Sequence, residues 1–161
     1  MFFLNLIFAI LPLVGFNGTF ATPVEQEEYC NERFEFCVTY PSGYFSEKVY
    51  SDNGDGVTMY AQEGVIEADI IGAYNVMDWS VEGILDNYFK TIKEKPMEVE
   101  LVELYTDEAY GWAKMKYNYE IQLVQINLLN DSYITTILTV PASSPDLLDE
   151  LSKSIQVTFP V

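Results

Sequence analysis

The chain contains no histidine. That absence removes Ser-His-Asp and Cys-His nucleophilic mechanisms, the commonest general base and most zinc sites. Cysteine is nearly absent too: Cys30 and Cys37 are the only two, and without histidine they make a poor zinc site. No Gly-x-Gly-x-x-Gly run and no P-loop occurs, so a nucleotide cofactor has no visible cradle. Positive charge is scarce. Eight Lys and Arg stand against 25 Asp and Glu, a formal net charge of −17 at pH 7. Phosphate-backbone binding depends on basic residues, so nucleic acid is excluded as a partner. No internal repeat or low-complexity tract is present.

What the chain does have begins with an apolar run. Residues 1–16 are apolar almost throughout, interrupted by Pro12 and Gly15, and Thr19 and Ala21 follow as small residues at the two positions a signal peptidase reads. No charged side chain precedes Glu25. The pattern predicts a signal peptide over 1–21, cleaved after Ala21, and hence a secreted or periplasmic protein. An uncleaved span would need about 20 predominantly apolar residues, and Pro12, Gly15, Asn17 and Gly18 break this one too early. No lipobox precedes Cys30, so no membrane attachment is expected after cleavage. Residues 22–29 are polar, acidic and aperiodic, and read as a flexible lead-in. Residues 30–161 are then one domain, long enough for a single buried core.

Within that domain the apolar period is mostly two. Phe34, Phe36, Val38 and Tyr40 share a face and Pro41 ends their strand. A short strand follows over 48–50. Asp52, Asn53, Gly54, Asp55 and Gly56 make a hairpin turn, and strands over 57–61 and 65–73 come next, separated by Glu63 and Gly64. Val81, Ile84, Leu85, Tyr88, Phe89 and Ile92 then recur at helical spacing. Asp78 or Ser80 can cap that helix, Lys90 and Lys93 suit its C-terminal end, and Pro96 stops it. Residues 97–105 alternate with one slip of phase at Leu101 and Val102. A bulge there keeps Glu98, Glu100 and Glu103 on one wet face, where Lys114 and Lys116 of the following strand can meet them. Residues 121–129 either continue that strand or form a new one. Asn130, Asp131 and Ser132 turn the chain into a strand over 133–140. Ser144 and Pro145 then open a second helix, with Leu147, Leu148, Leu151 and Ile155 inward. Strands joined by short turns, with two helices, predict an α+β fold: one mostly antiparallel sheet flanked by the helices.

Cys30 and Cys37 have two readings. An even count in an exported chain favours a disulfide. A strand running from Arg33 to Cys37 would span about 13 Å, so Cys30 must fold sharply back, through Asn31 and Glu32, to reach its partner. Two buried thiols are the alternative.

The run from Tyr29 through Cys30, Phe34, Phe36, Cys37 and Tyr40 to Pro41, followed by Ser51 to Gly56, resembles the opening of exported bacterial proteins with the Mog1/PsbP-like fold. The tail through Thr135, Leu138, Pro141, Leu147, Ile155 and Phe159 is similar to their closing strand and helix. The resemblance implies an α/β/α sandwich. It also implies a binding protein rather than an enzyme, since members include a small-GTPase nucleotide-exchange cofactor, an extrinsic photosystem subunit and chaperones for secreted toxins. None of their binding residues matches a position here.

Candidate sites are few. Ser51, Asn53, Asp55 and Gly56 copy half of an oxygen-ligand calcium loop, with Asp52, Asn53 and Asp55 as first ligands. Position twelve is Gln62 rather than Glu and no helix flanks the loop, so a plain hairpin turn explains the same residues. No basic residue lies between Lys48 and Lys90, while eight acids do: Asp52, Asp55, Glu63, Glu67, Asp69, Asp78, Glu82 and Asp86. One side of the domain is therefore expected to be electronegative, with the mobile hairpin tip and the first helix's start on it. Tyr50, Asp52, Asp55 and Tyr60 are the expected contacts for a basic protein partner, held on an acidic, aromatic surface. A carboxylate-based hydrolase is the weaker alternative, and it requires a cleft with two acids, one of raised pKa.

Overall fold

The computed structural model describes residues 25–94 and 98–159. The expected signal peptide and the helix-stopping Pro96 lie outside the described residues. In chain order the elements are β1 (Gln26–Asn31), β2 (Phe36–Pro41), β3 (Glu47–Tyr50), β4 (Gly56–Ala61), β5 (Ile66–Tyr74), α1 (Val81–Lys93), β6 (Glu100–Thr106), β7 (Tyr110–Lys116), β8 (Glu120–Leu128), β9 (Ser132–Pro141), α2 (Pro145–Ser154) and β10 (Gln156–Thr158). A single 3₁₀ turn, Gln62–Gly64, links β4 to β5. The fold is α+β, as the alternation predicts.

The strands divide between two sheets, not one. β3-β4-β5-β9-β8-β7-β6 form a seven-stranded sheet, and β1-β2-β10 form a separate three-stranded one. Every pairing is antiparallel. The period-two pattern places neighbouring residues on opposite faces, and the large sheet uses both. Val81, Ile84, Leu85 and Ile92 of α1 pack on one face against Ala113, Met115, Val124 and Ile126. The opposite face presents Met59, Ile66, Ile70, Ile134 and Leu138 to Phe36 and Val38 of the small sheet and to Leu148 and Leu151 of α2. The helix stripe is a core face, as its spacing predicts.

Local chemistry sets most element ends. The Ser80 hydroxyl accepts from the Gly83 amide at 3.2 Å and caps α1, which fills one of the orphan donors of the first turn. Ser144 precedes α2 with Pro145 behind it, but its side chain makes no capping bond. The chain breaks between β7 and β8 at residues 117–119, so 120–128 is a separate strand. The bulge falls where the slip of phase places it: Leu101 opposes Met115 and Glu103 opposes Lys114, leaving Val102 extra.

Two expectations at the N-terminal side change. The strand of the first apolar alternation starts at Phe36, not Phe34, because residues 32–35 form the turn and Glu35 adopts a left-handed conformation (φ 52°). The expected flexible lead-in is ordered from Gln26 onward, as β1 pairs along its whole length with β2. Polar Gln26, Glu27 and Glu28 hide that strand from a hydrophobicity reading. Backbone pairing holds it, helped by the Glu27 carboxylate, which Lys48 of β3 contacts. Cys30 and Cys37 become cross-strand partners and are joined in a disulfide.

Candidate functional site

Antiparallel strands send alternate turns to the same end of a sheet, and here those turns are acidic. The β1–β2 turn carries Glu32 and Glu35, β3–β4 carries Asp52 and Asp55, and the segment into α1 carries Asp78. Asp107 and Glu108 follow β6, and Asp131 precedes β9. Arg33 is the base among these turns. Its guanidinium donates to the Asn53 carbonyl at 2.7 Å and lies over the rings of Phe34 and Tyr74, 5.1 and 5.5 Å from their centroids. Gly72 makes that packing possible, since a Cβ there would sit 2.4 Å from the Phe34 ring.

A groove of about 650 Å³ opens at this end, between the β1–β2 turn and the β8–β9 turn. Phe34, Tyr74, Leu128, Leu129 and Phe159 line it together with Glu35, Glu108, Asp131 and the base Arg33. Sequence reasoning places Phe34 on a core strand face, and the acidic hairpin that it singles out does not line this groove. The same reasoning missed Glu108, Asp131 and Phe159, which topology alone brings opposite the β1–β2 turn.

The hairpin tip is pinned, against the expectation of a mobile loop. The Asn31 side-chain amide donates to the Gly54 carbonyl at 3.1 Å, Arg33 holds the Asn53 carbonyl, and the Gly72 amide donates to the Asp55 carbonyl at 2.8 Å. The tip's own side chains bond to one another. Ser51 donates its hydroxyl toward Asn53 and Asp55, and the Asn53 amide donates to the other Asp55 oxygen at 2.7 Å. The Ser51 hydroxyl, with Asn53 and nearby Arg33, holds the Asp55 carboxyl below its ordinary pKa. Asp52 is exposed. A cation would have to replace these bonds at Asn53 and Asp55, and the arrangement is that of a self-contained turn. Among the described residues, the one grouping of metal-ligand types within reach of each other is Glu28 with Cys30 and Cys37, whose sulfurs form the disulfide.

Tyr50 and Tyr60 do not come together. Tyr50 pairs with Val57, on the face toward the small sheet, and its ring meets Tyr29 at 5.6 Å. Tyr60 pairs with Glu67 on the opposite face, beside Glu47 and Asp69. That second face holds a polar cluster that α1 joins through Tyr88. Tyr88 and Tyr117 both donate to the Gln122 side-chain carbonyl, at 2.9 and 2.8 Å, and Gln122 donates to Thr139 at 3.0 Å. Thr139 is the register partner of Glu67. Burial, reinforced by the Asp69 carboxylate and by Glu120, pushes Glu67 up to about 7. Burial also raises Tyr117 to about 12 and raises Tyr88. A hydrolase would draw on Glu67 and Asp69, but they line none of the grooves at the loop end or beside α2.

Among the described residues no helix is long and apolar enough to cross a membrane. Neither the comparison with family models nor that with curated proteins finds a match. Among solved structures the chain is similar to cyanobacterial PsbP (CyanoP) from Synechocystis sp. PCC 6803, with a TM-score of 0.62 and 15% identity, over 90% of this chain and 99% of that one. At that identity the likeness speaks for the path of the backbone and leaves the site residues to be argued from this chain alone. The chain has the PsbP-like fold.

Proposed function

We propose that the protein is an exported, non-enzymatic binding module whose acidic loop end holds a basic segment of a protein partner. One observation carries this reading: the groove sets Glu35, Glu108 and Asp131 around an apolar floor, while Arg33, the one base in its lining, spends its guanidinium on the Asn53 carbonyl. A lysine or arginine side chain fits such a groove, its stem on the floor and its charge at the rim. The disulfide supports export, because such bonds persist in oxidising compartments. The lack of histidine and the resemblance to a mostly non-enzymatic family support binding over catalysis.

Calorimetry with a ten-residue oligolysine peptide tests it. Screening shortens from about 10 Å at 0.1 M salt to about 3 Å at 1 M, so binding should weaken at least tenfold between them. Reversing charge at the groove, Glu108→Lys with Asp131→Lys, should weaken it severalfold at 0.1 M salt. Glu150→Lys, on the exposed side of α2, should leave the affinity near its original value. Affinity indifferent to salt, or lost equally in the α2 variant, would count against a localised acidic site.

A further inference from the structure

β6 is an outer strand of the large sheet, and among the described residues nothing pairs with its free edge. All seven of its residues are exposed. Leu101, Val102, Leu104 and Tyr105 are large and apolar, yet 46%, 46%, 51% and 47% exposed. A free edge is a row of unpaired amides and carbonyls, and soluble proteins usually guard it with lysine, proline or a very short strand. β6 has neither lysine nor proline, and at seven residues it is longer than β3, the four-residue opposite edge.

Register with β7 sorts its side chains. Glu100, Glu103 and Tyr105 oppose Lys116, Lys114 and Trp112 on the side of α2, where Lys114 also reaches Asp149 at 3.1 Å. Leu101 and Leu104 oppose Met115 and Ala113, which belong to the core under α1. The bulge at Val102 keeps both glutamates on one side although they are three apart. β6 therefore shows an acidic and aromatic face and an aliphatic face, with an unpaired backbone between them.

We propose that β6 is a strand-addition site, and that its occupant is an extended segment of the basic partner in which arginine or lysine alternates with aliphatic residues. This rests on the reading that the chain binds a basic protein. Strand addition draws affinity from main-chain hydrogen bonds and specificity from alternate side chains. One set of side chains in such a segment meets Glu100, Glu103 and the Tyr105 ring, which suit guanidinium groups by charge and by stacking. The other set continues the aliphatic surface of Leu101 and Leu104. A second copy of this chain is the wrong occupant. Antiparallel pairing about Glu103 sets that carboxylate against its own copy, which is destabilising, and each copy brings a formal charge of −17. β6 also leads to the groove, because Glu108 in its wall lies just past the strand's last residue, Thr106.

Two synthetic ten-residue peptides of alternating arginine and valine test the proposal, one unmodified and one N-methylated at every residue, which removes the amide donors from both edges. Both carry the same charge, but the second cannot pair as a strand. The unmodified peptide should bind at least fivefold more tightly and slow amide hydrogen exchange at residues 100–106. The double variant Glu100→Lys with Glu103→Lys should lose most of that preference. Equal binding of the two peptides, without new protection in β6, would overturn strand addition and leave the acidic binding reading standing. Binding of neither would end both.

Discussion

Replacing Cys30 and Cys37 together with serine lowers the melting temperature by about 6–12 °C, and the loss starts at β1. The bridge closes a short loop between directly opposed residues of β1 and β2. Constraining such a loop in the unfolded chain contributes roughly 2–3 kcal/mol, and for a domain of this size one kcal/mol moves the midpoint by roughly 3–4 °C. Beyond its pairing with β2 and the Glu27–Lys48 contact, β1 contributes little to the core: its burial runs from exposed Gln26 to buried Asn31 and includes one partly buried aromatic, Tyr29. Local opening is therefore expected before global unfolding. The consequences reach the groove, because Asn31 holds the Gly54 carbonyl and Arg33, Phe34 and Glu35 form one wall. Melting the oxidised protein with and without a thiol reductant, alongside the serine variant, measures this. A shift below about 2 °C would mean that backbone pairing alone holds β1.

Much of this fold is legible in the sequence, for definite reasons. Strong alternation at Phe36, Val38 and Tyr40 and at Ile66, Ala68 and Ile70 fixes both period and buried face, and all six are buried. The helical stripe of α1, its Ser80 cap and the bulge before Glu103 each carry a local signal. β1 carries none, since a strand held by pairing, a disulfide and the Glu27–Lys48 contact can be polar. The split into two sheets is equally silent. It depends on the tight β1–β2 turn and on β10 returning to pair with β2 across more than a hundred residues. The groove itself is hardly visible, since Glu35, Glu108 and Asp131 all lie outside the acidic stretch of the sequence. Charge counting marks the stretch between Lys48 and Lys90 as electronegative, but it cannot say that the turns holding Glu108 and Asp131 face Glu35. Nor can it separate Tyr50 from Tyr60, ten residues apart on opposite faces. The hairpin tip misleads in the other direction. Its glycines suggest mobility, yet its carbonyls are the acceptors that Asn31 and Arg33 need.

Glu67→Gln should stabilise the protein at pH 8 and leave it unchanged at pH 4. Glu67 is half-buried on β5, with the Asp69 carboxylate on the same strand face and Glu120 nearby, and these raise its pKa from 4.5 to about 7. Glu47, Tyr60 and Thr58 face the pair from β3 and β4, Thr139 from β9, and Tyr88 and Tyr117 stand beyond it. No base closes over it from the described parts of these elements. Below the unfolded pKa both folded and unfolded chains carry the proton, and Glu67 costs nothing. Between 4.5 and about 7 the unfolded chain releases its proton while the folded one keeps it, so stability falls as pH rises. Above that range the cost is constant. A full shift of this size would correspond to about 3 kcal/mol, and partial exposure to solvent cuts it to roughly 1–2 kcal/mol. Glutamine keeps the shape of the protonated acid and an N–H to offer Asp69, and it cannot ionise. Urea titrations of both proteins at pH 4 and pH 8 should therefore coincide at the lower pH and separate at the higher. Curves that separate equally at both would trace the gain to packing, and a variant less stable at pH 8 would show that the ionised carboxylate is compensated by a partner.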